Sequence, residues 1–190
     1  MPDDPQPSDW DDLASLLGPG SLADLFSQPV IPPAGWEPVF GLDGVLMVAP
    51  EAVGIEASSA QDITVLGPKD SPAMLELAAQ TRPGPFWPRT GELGTYLGIH
   101  EEGRLVAMAG ERLQPPGWSE ISAVCTAADR RGRGYAGLLV RALARRITAD
   151  GRRAFLHVAS ANAPAIALYE RLGFRTHCDV RFTGFRVPGS

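Results

Sequence analysis

Residues 119–137, SEISAVCTAADRRGRGYAG, constrain this chain more than any other stretch. The first half is apolar with β-branched residues at Ile121, Val124 and Thr126, which reads as a strand. The second half packs three glycines and three arginines into positions 130–137. An amphipathic helix follows directly, with Leu139, Leu143 and Ile147 at helical spacing and Arg141, Arg145 and Arg146 on other faces. A strand, a glycine-rich turn and a helix in that order build an anion cradle. Glycine lets the backbone come close to a ligand, and the N–H groups that open a helix point outward into the positive end of its dipole.

The arginines support a small polyanionic ligand. The chain carries a formal charge of −5, which argues against a general nucleic-acid binder, yet eight of its seventeen basic residues fall within 130–153. Its 190 residues suit one domain of ordinary size with a modest extension. Cys125 and Cys178 are too few for a disulfide framework or a zinc site and read as reduced thiols of a cytoplasmic protein. His100, His157 and His177 lack metal-ligand spacing, so no metal is expected. The N-terminal residues do not read as a secretory signal, and no apolar run is long enough to span a bilayer, so no membrane partner is expected.

Taken in order, residues 1–12 are acidic and hold three prolines, and are expected to fray. Residues 12–17 and 21–26 read as two short helices around Gly18-Pro19-Gly20. Residues 28–38, with four prolines, read as a linker, and 39–48 as a hairpin turning at 41–44. A strand is expected over 63–66 and a helix from 70 to 80 with Pro72 in its first turn. The loop 81–90, TRPGPFWPRT, holds Phe86 and Trp87 in a rigid extended segment. They read either as substrate contacts or as plugs beneath a loop.

Strands follow over 93–100, 104–113 and 118–126, turning at 101–103 and 114–117. The cradle helix spans 134–149, a buried strand 155–158, and a helix capped by Asn162 runs to Gly173, whose left-handed conformation stops it. A last strand or hairpin covers 175–187. The order β-β-β-α-β-α-β specifies an α/β sheet of mixed direction.

The cradle lacks the Gly-Lys-Ser/Thr of nucleotide P-loops and does not fit Gly-x-Gly-x-x-Gly. It does fit Arg-x-x-Gly-x-Ala, as Arg131-Gly132-Arg133-Gly134-Tyr135-Ala136. Further on, 162–174 reads NAPAIALYERLGF, which fits Asn-x-x-Ala-x-x-Leu-Tyr-x-x-x-Gly-Phe. Together these resemble the two signatures of the GNAT superfamily of N-acyltransferases, and the wording of 121–126 is most similar to its FR-type acetyltransferase branch. The resemblance covers about 63–187 and is densest over 120–174. It implies the GNAT acyl-CoA N-acyltransferase fold (α/β, or α+β), a mixed and mostly antiparallel central sheet flanked by helices. Residues 1–60 then form an N-terminal extension and 61–190 the acetyltransferase domain.

The resemblance also implies the ligand, acetyl-CoA as acyl donor, and the reaction, transfer of acetyl to a primary amine on a small molecule, amino acid or peptide. Gly132, Gly134, Tyr135, Ala136 and Gly137 would hold the pyrophosphate through their N–H groups, with Arg131 or Arg133 adding charge. The backbone of Val124, Cys125 and Thr126 would pair with the pantetheine arm, and Asn162 and Ala165 would also meet the cofactor. Tyr169 takes the place of the proton donor to the leaving thiolate, though it also reads as a core residue. Glu120 takes that of the base; a pKa raised in a cleft would suit it, with Glu111 or water as substitutes and Glu111 also as a substrate contact. His157, in an apolar strand, reads as a satisfied interior histidine. The extension either covers the substrate cleft or makes a homodimer contact. The rival readings are a CoA-binding sensor without catalysis and a phosphate-binding interaction domain.

Overall fold

A computed structural model describes residues 5–27, 29–50 and 62–189. In chain order the elements are α1 (Pro7–Leu17), β1 (Leu22–Ser27), β2 (Glu37–Val48), β3 (Ile63–Leu66), α2 (Ser71–Thr81), β4 (Tyr96–Glu101), β5 (Arg104–Glu111), β6 (Trp118–Thr126), α3 (Tyr135–Ala149), β7 (Arg153–Ala159), α4 (Ala163–Arg171) and β8 (Arg175–Arg186). They fall into two compact units. One comprises Met1–Leu46, Val158–Ala163 and Thr176–Ser190; the other comprises Met47–His157 and Pro164–Arg175. The boundary expected near residue 60 lies outside the described residues, as do residues 1–4 and Gln28.

The unit built on Met47–His157 carries the meander read from the sequence. Its strands run in the order β7-β6-β5-β4-β3, with β3 to β6 antiparallel and β7 parallel to β6. The turns form where glycine takes positive φ, at Gly103 (78°) and Gly117 (77°). The α3 helix buries Leu139, Val140, Leu143, Ala144 and Ile147, the apolar stripe its spacing demands. Its core continues through Val106, Ala107, Met108 and Ala109 of β5 and Ile121 of β6.

Strand alternation sorts the polar residues of this sheet onto opposite faces. Tyr96 pairs with Gly110, Gly110 with Ser122 and Glu120 with Phe155, so one face presents Tyr96, Arg112, Glu120 and His157. Glu111 and Ser119, one residue out of step, belong to the other.

In the unit containing β1, β8 and β2 the sequence reading needs three corrections. Residues 21–26 are strand, not helix: β1 pairs antiparallel with β8 from Leu22↔Arg186 to Ser27↔Arg181. Ala23 and Leu25, two apart, join Trp10, Trp36, Phe185 and Val187 in a small core. Residues 39–48 are not a hairpin but part of the single strand β2. The first helix is one element that starts at Pro7, inside the stretch expected to fray. A proline at its N-terminus and the aromatic contact of Trp10 with Trp36, 4.9 Å between ring centroids, hold it there.

Candidate functional site

The strand, glycine turn and helix form as read. After β6 a 3-10 turn over Ala128–Arg130 leads into Gly132 and Gly134, at φ 79° and 80°, and α3 begins at Tyr135. That left-handed conformation at two near-successive positions is what glycine supplies and other residues resist. The first intrahelical bond is Leu138 N–H to the Gly134 carbonyl, 3.1 Å, so the N–H groups before it open outward.

The arginines of the loop are not equivalent. Arg130 Nε donates to Glu101 at 2.6 Å and its Nη1 to Asp129 at 2.7 Å, while Arg104 bonds Asp129 at 2.6 Å. Arg133 reaches Glu101 at 3.2 Å, and the Tyr135 hydroxyl donates to the same carboxylate. The Tyr135 hydrogen bond, with those of the arginines and their charge, holds Glu101 below the usual carboxylate range despite some burial. Glu101 therefore ties the cradle to the end of β4, and Arg131 stays exposed beside it.

Immediately upstream β6 parts from β7. Their parallel pairing runs from Trp118↔Arg153 to Glu120↔Phe155 among the described residues, although β6 continues to Thr126. On its other edge β6 keeps pairing with β5, with a register shift between Met108 and Gly110. Ala123, at φ 52°, is the bulged residue; a non-glycine there stores strain of about 1–3 kcal/mol, a cost found at ligand sites. Ala127 N–H bonds Val106 of β5. By alternation Thr126 and Val124 direct their backbone groups to the opposite edge, where β7 has diverged, and Cys125 directs its own toward β5. The buried Cys125 thiol is pushed up to about 11 by burial, against hydrogen bonds from Thr81 and the Met108 backbone.

At the apex of this divergence sits a charged cluster. Glu120, 1% exposed, accepts from Arg112 Nε at 2.9 Å and Nη2 at 2.6 Å, and its Oε1 lies 2.8 Å from His157 Nδ1. Burial pushes its pKa up, but the His157 and Arg112 hydrogen bonds and charges outweigh burial and hold it below the usual carboxylate range. The raised pKa expected of Glu120 is thus corrected. His157 is the satisfied interior histidine read from its apolar strand, its partner being Glu120. Phe155 packs edge-on against it at 5.6 Å.

Glu111, the second carboxylate considered, lies on the opposite face. It is 2% exposed, accepts from Ser119 Oγ at 2.6 Å and pairs with Arg152 at 3.2 Å. The structure does not bring it to Glu120.

Tyr169 is buried on α4, 6.0 Å from Phe174, and burial pushes its phenol up to about 12. Gly173 (φ 89°) stops the helix, and Phe174 N–H folds back to the Tyr169 carbonyl at 3.0 Å. Asn162 precedes α4, its N–H bonded to Ala159 O at 2.8 Å, and Ala165 is half-buried in the first turn of the helix. Of the loop aromatics, Phe86 turns inward to meet Tyr96 edge-on at 5.8 Å, while Trp87 is 66% exposed.

Sequence reasoning missed Arg112, Tyr96 and the bulge at Ala123. For Arg112 the signal was one residue off: counting outward from the 114–117 turn sets it opposite Ser119, whereas its N–H bonds Glu120 O at 3.1 Å. The described residues hold no cluster of ligands able to bind a metal ion and no helix long and apolar enough to cross a membrane.

Residues 96–182 match the family model for FR47-like proteins. A crystal structure of a putative acetyltransferase from the GNAT family of Novosphingobium aromaticivorans is 39% identical, with a TM-score of 0.84, over 91% of this chain and 78% of that one. A GNAT-family acetyltransferase from Colwellia psychrerythraea shares the fold at 18% identity and a TM-score of 0.62, over 79% of this chain and 58% of that one. So does the ribosomal-protein-S18-alanine N-acetyltransferase of Escherichia coli, at 21% identity and a TM-score of 0.56, over 68% and 96%. A search among curated proteins finds no match.

Proposed function

The chain belongs to the GNAT family of acetyltransferases, and from that premise we propose that it transfers an acetyl group from acetyl-CoA to a primary amine by direct attack in a ternary complex. The observation that carries the reading is the early end of β6–β7 pairing at Glu120↔Phe155, with a strained bulge and a glycine cradle on the same strand. The residues present fit acetyl-CoA. The unpaired edge at Val124 and Thr126 offers backbone groups to a pantetheine amide, and the outward N–H groups of 134–137 with the exposed Arg131 suit a pyrophosphate. When bound, the thioester supplies an activated carbonyl whose oxygen gathers negative charge as the amine attacks.

The chain's own groups then take assigned roles. Backbone N–H groups of the strand edge beside the Ala123 bulge would meet that charge. Tyr169, with its phenol held protonated to about pH 12 by burial, is the proton donor to the departing thiolate. Glu120 is ionised at neutral pH and buried behind Arg112 and His157, so it does not meet the amine as a lone base. It holds His157 Nδ1 at 2.8 Å, and the amine's proton leaves through that pair. Both cysteines are free thiols, which fits the proposed cytoplasmic setting.

One observation favours a second reading, a CoA-binding sensor without turnover: the Glu120 charge is already matched by Arg112 at 2.6 Å. Steady-state acetyl transfer across a panel of primary amines separates the two. Saturable turnover with any amine supports the enzyme; tight acetyl-CoA binding with no turnover on any of them supports the sensor.

A further inference from the structure

The Tyr96 hydroxyl is an anomaly in this unit. The residue is 1% exposed, and among the described residues its oxygen has no hydrogen-bond partner. Leaving a buried hydroxyl unpaired costs about 1–3 kcal/mol, so natural cores rarely keep one without a use. The ring is not there by accident of packing. It lies across Gly110 of β5, where any Cβ would drive into the ring atoms, so a backbone position has been kept bare to admit it.

Its surroundings are those of the proposed acceptor site. Tyr96 shares the sheet face of Arg112, Glu120 and His157, and feels the charges of Arg112 and Glu120. Phe86 caps it edge-on from the loop between α2 and β4. That loop is tied at its base, where Trp87 N–H donates to Thr90 Oγ1 at 2.8 Å, and carries Arg82 at φ 51° and Gly84 at φ 119°.

We propose that Tyr96 is a specificity-determining residue, whose hydroxyl donates to a neutral carbonyl on the carbon adjacent to the substrate's amine, as in an amino-acid amide or a peptide N-terminus. This rests on the acetyltransferase reading above. The substrate's carbonyl supplies the acceptor that the described residues lack, and Phe86 yields its place over the ring as the substrate enters. A neutral carbonyl is preferred to a carboxylate, because the nearby Arg112 charge is already matched by Glu120 at 2.6 Å, leaving a further buried anion without a counter-charge.

The test compares phenylalanine amide with 2-phenylethylamine, which differ by the carboxamide, in the full-length wild-type protein and in Tyr96→Phe. Wild type is expected to favour the amide in kcat/KM by at least about tenfold, as a site built to bond a polar group discriminates against the analogue lacking it. Tyr96→Phe is expected to lose that preference while its Tm holds or rises, since removing an unpaired hydroxyl relieves a cost. Two results overturn the proposal: no preference in wild type, or a preference that survives in Tyr96→Phe, which with a lowered Tm assigns the hydroxyl to a structural water. If wild type binds acetyl-CoA but acetylates neither amine, the acetyltransferase reading has failed separately. The proposal is then read from calorimetric binding of phenylalanine amide to the CoA-loaded protein, expected to weaken about tenfold in Tyr96→Phe and overturned by equal or absent binding.

Discussion

Glu111 and Glu120 are near neighbours in the sheet, both almost wholly buried and both matched by an arginine, yet they do different work. Glu111 faces Ser119 and Arg152, and every partner it has is internal structure. Glu120 faces His157 at the point where β6 and β7 part, beside the edge proposed to receive the thioester. A single step in strand alternation separates a scaffold carboxylate from a candidate catalytic one. Burial, charge pairing and residue type do not distinguish them; the adjacent open edge does.

Four measurements press on that contrast, from the largest expected effect to the smallest. Glu111→Ala strips Ser119 and Arg152 of their buried carboxylate, although Arg152 keeps Asp150 at 3.1 Å, and chemical denaturation should show a loss of about 3 kcal/mol. Its folded fraction should keep kcat/KM within about a factor of two; a selective loss of kcat would put Glu111 in the site after all. Glu120→Gln should lower kcat about 100-fold, the scale of a proton-transfer defect, in protein shown by circular dichroism to be folded. An unaffected kcat would reduce Glu120 to scaffold like its neighbour. Tyr169→Phe should slow kcat about tenfold with acetyl-CoA affinity unchanged, and turnover equal to wild type would return Tyr169 to the core.

The smallest effect is acid sensitivity. Because the folded pKa of Glu120 lies below its ordinary 4.5, the carboxylate's stabilising contribution is complete above that value and fades as pH falls through the depressed one. The Tm gap between wild type and Glu120→Gln should therefore be constant near neutrality and close below about pH 4. A gap that widens in acid would contradict the pairing.

What could be read from the sequence were features fixed locally. The cradle, the meander and α3 announce themselves through glycine, turn residues and apolar spacing within a few positions of each other. β1 does not, because its partner β8 lies about 160 residues away and its helix-like residues yield to pairing with it. Gly41 and Gly44 looked like a turn, but they are bare for another reason. A Cβ at Gly41 would meet the Arg181 guanidinium at 2.6 Å, and one at Gly44 would meet the Phe182 ring. Distant side chains crossing a strand set that requirement. The site divides in the same way: Tyr169 and the cradle sit in motifs, whereas the separation of β6 from β7 is a matter of hydrogen-bond register that no residue type encodes.

The central claim is that the cradle and the open edge of β6 form an acetyl-CoA site. Calorimetric titration of acetyl-CoA into wild type and Gly134→Trp, with ATP in parallel, tests it most directly. The substitution forces a bulky side chain onto a backbone at φ 80° at the mouth of the cradle. The account predicts one-site binding of acetyl-CoA, much tighter than ATP, that weakens at least about 100-fold, or about 2.7 kcal/mol, in the folded variant. No binding by folded wild type, or equal binding by the variant, would contradict it.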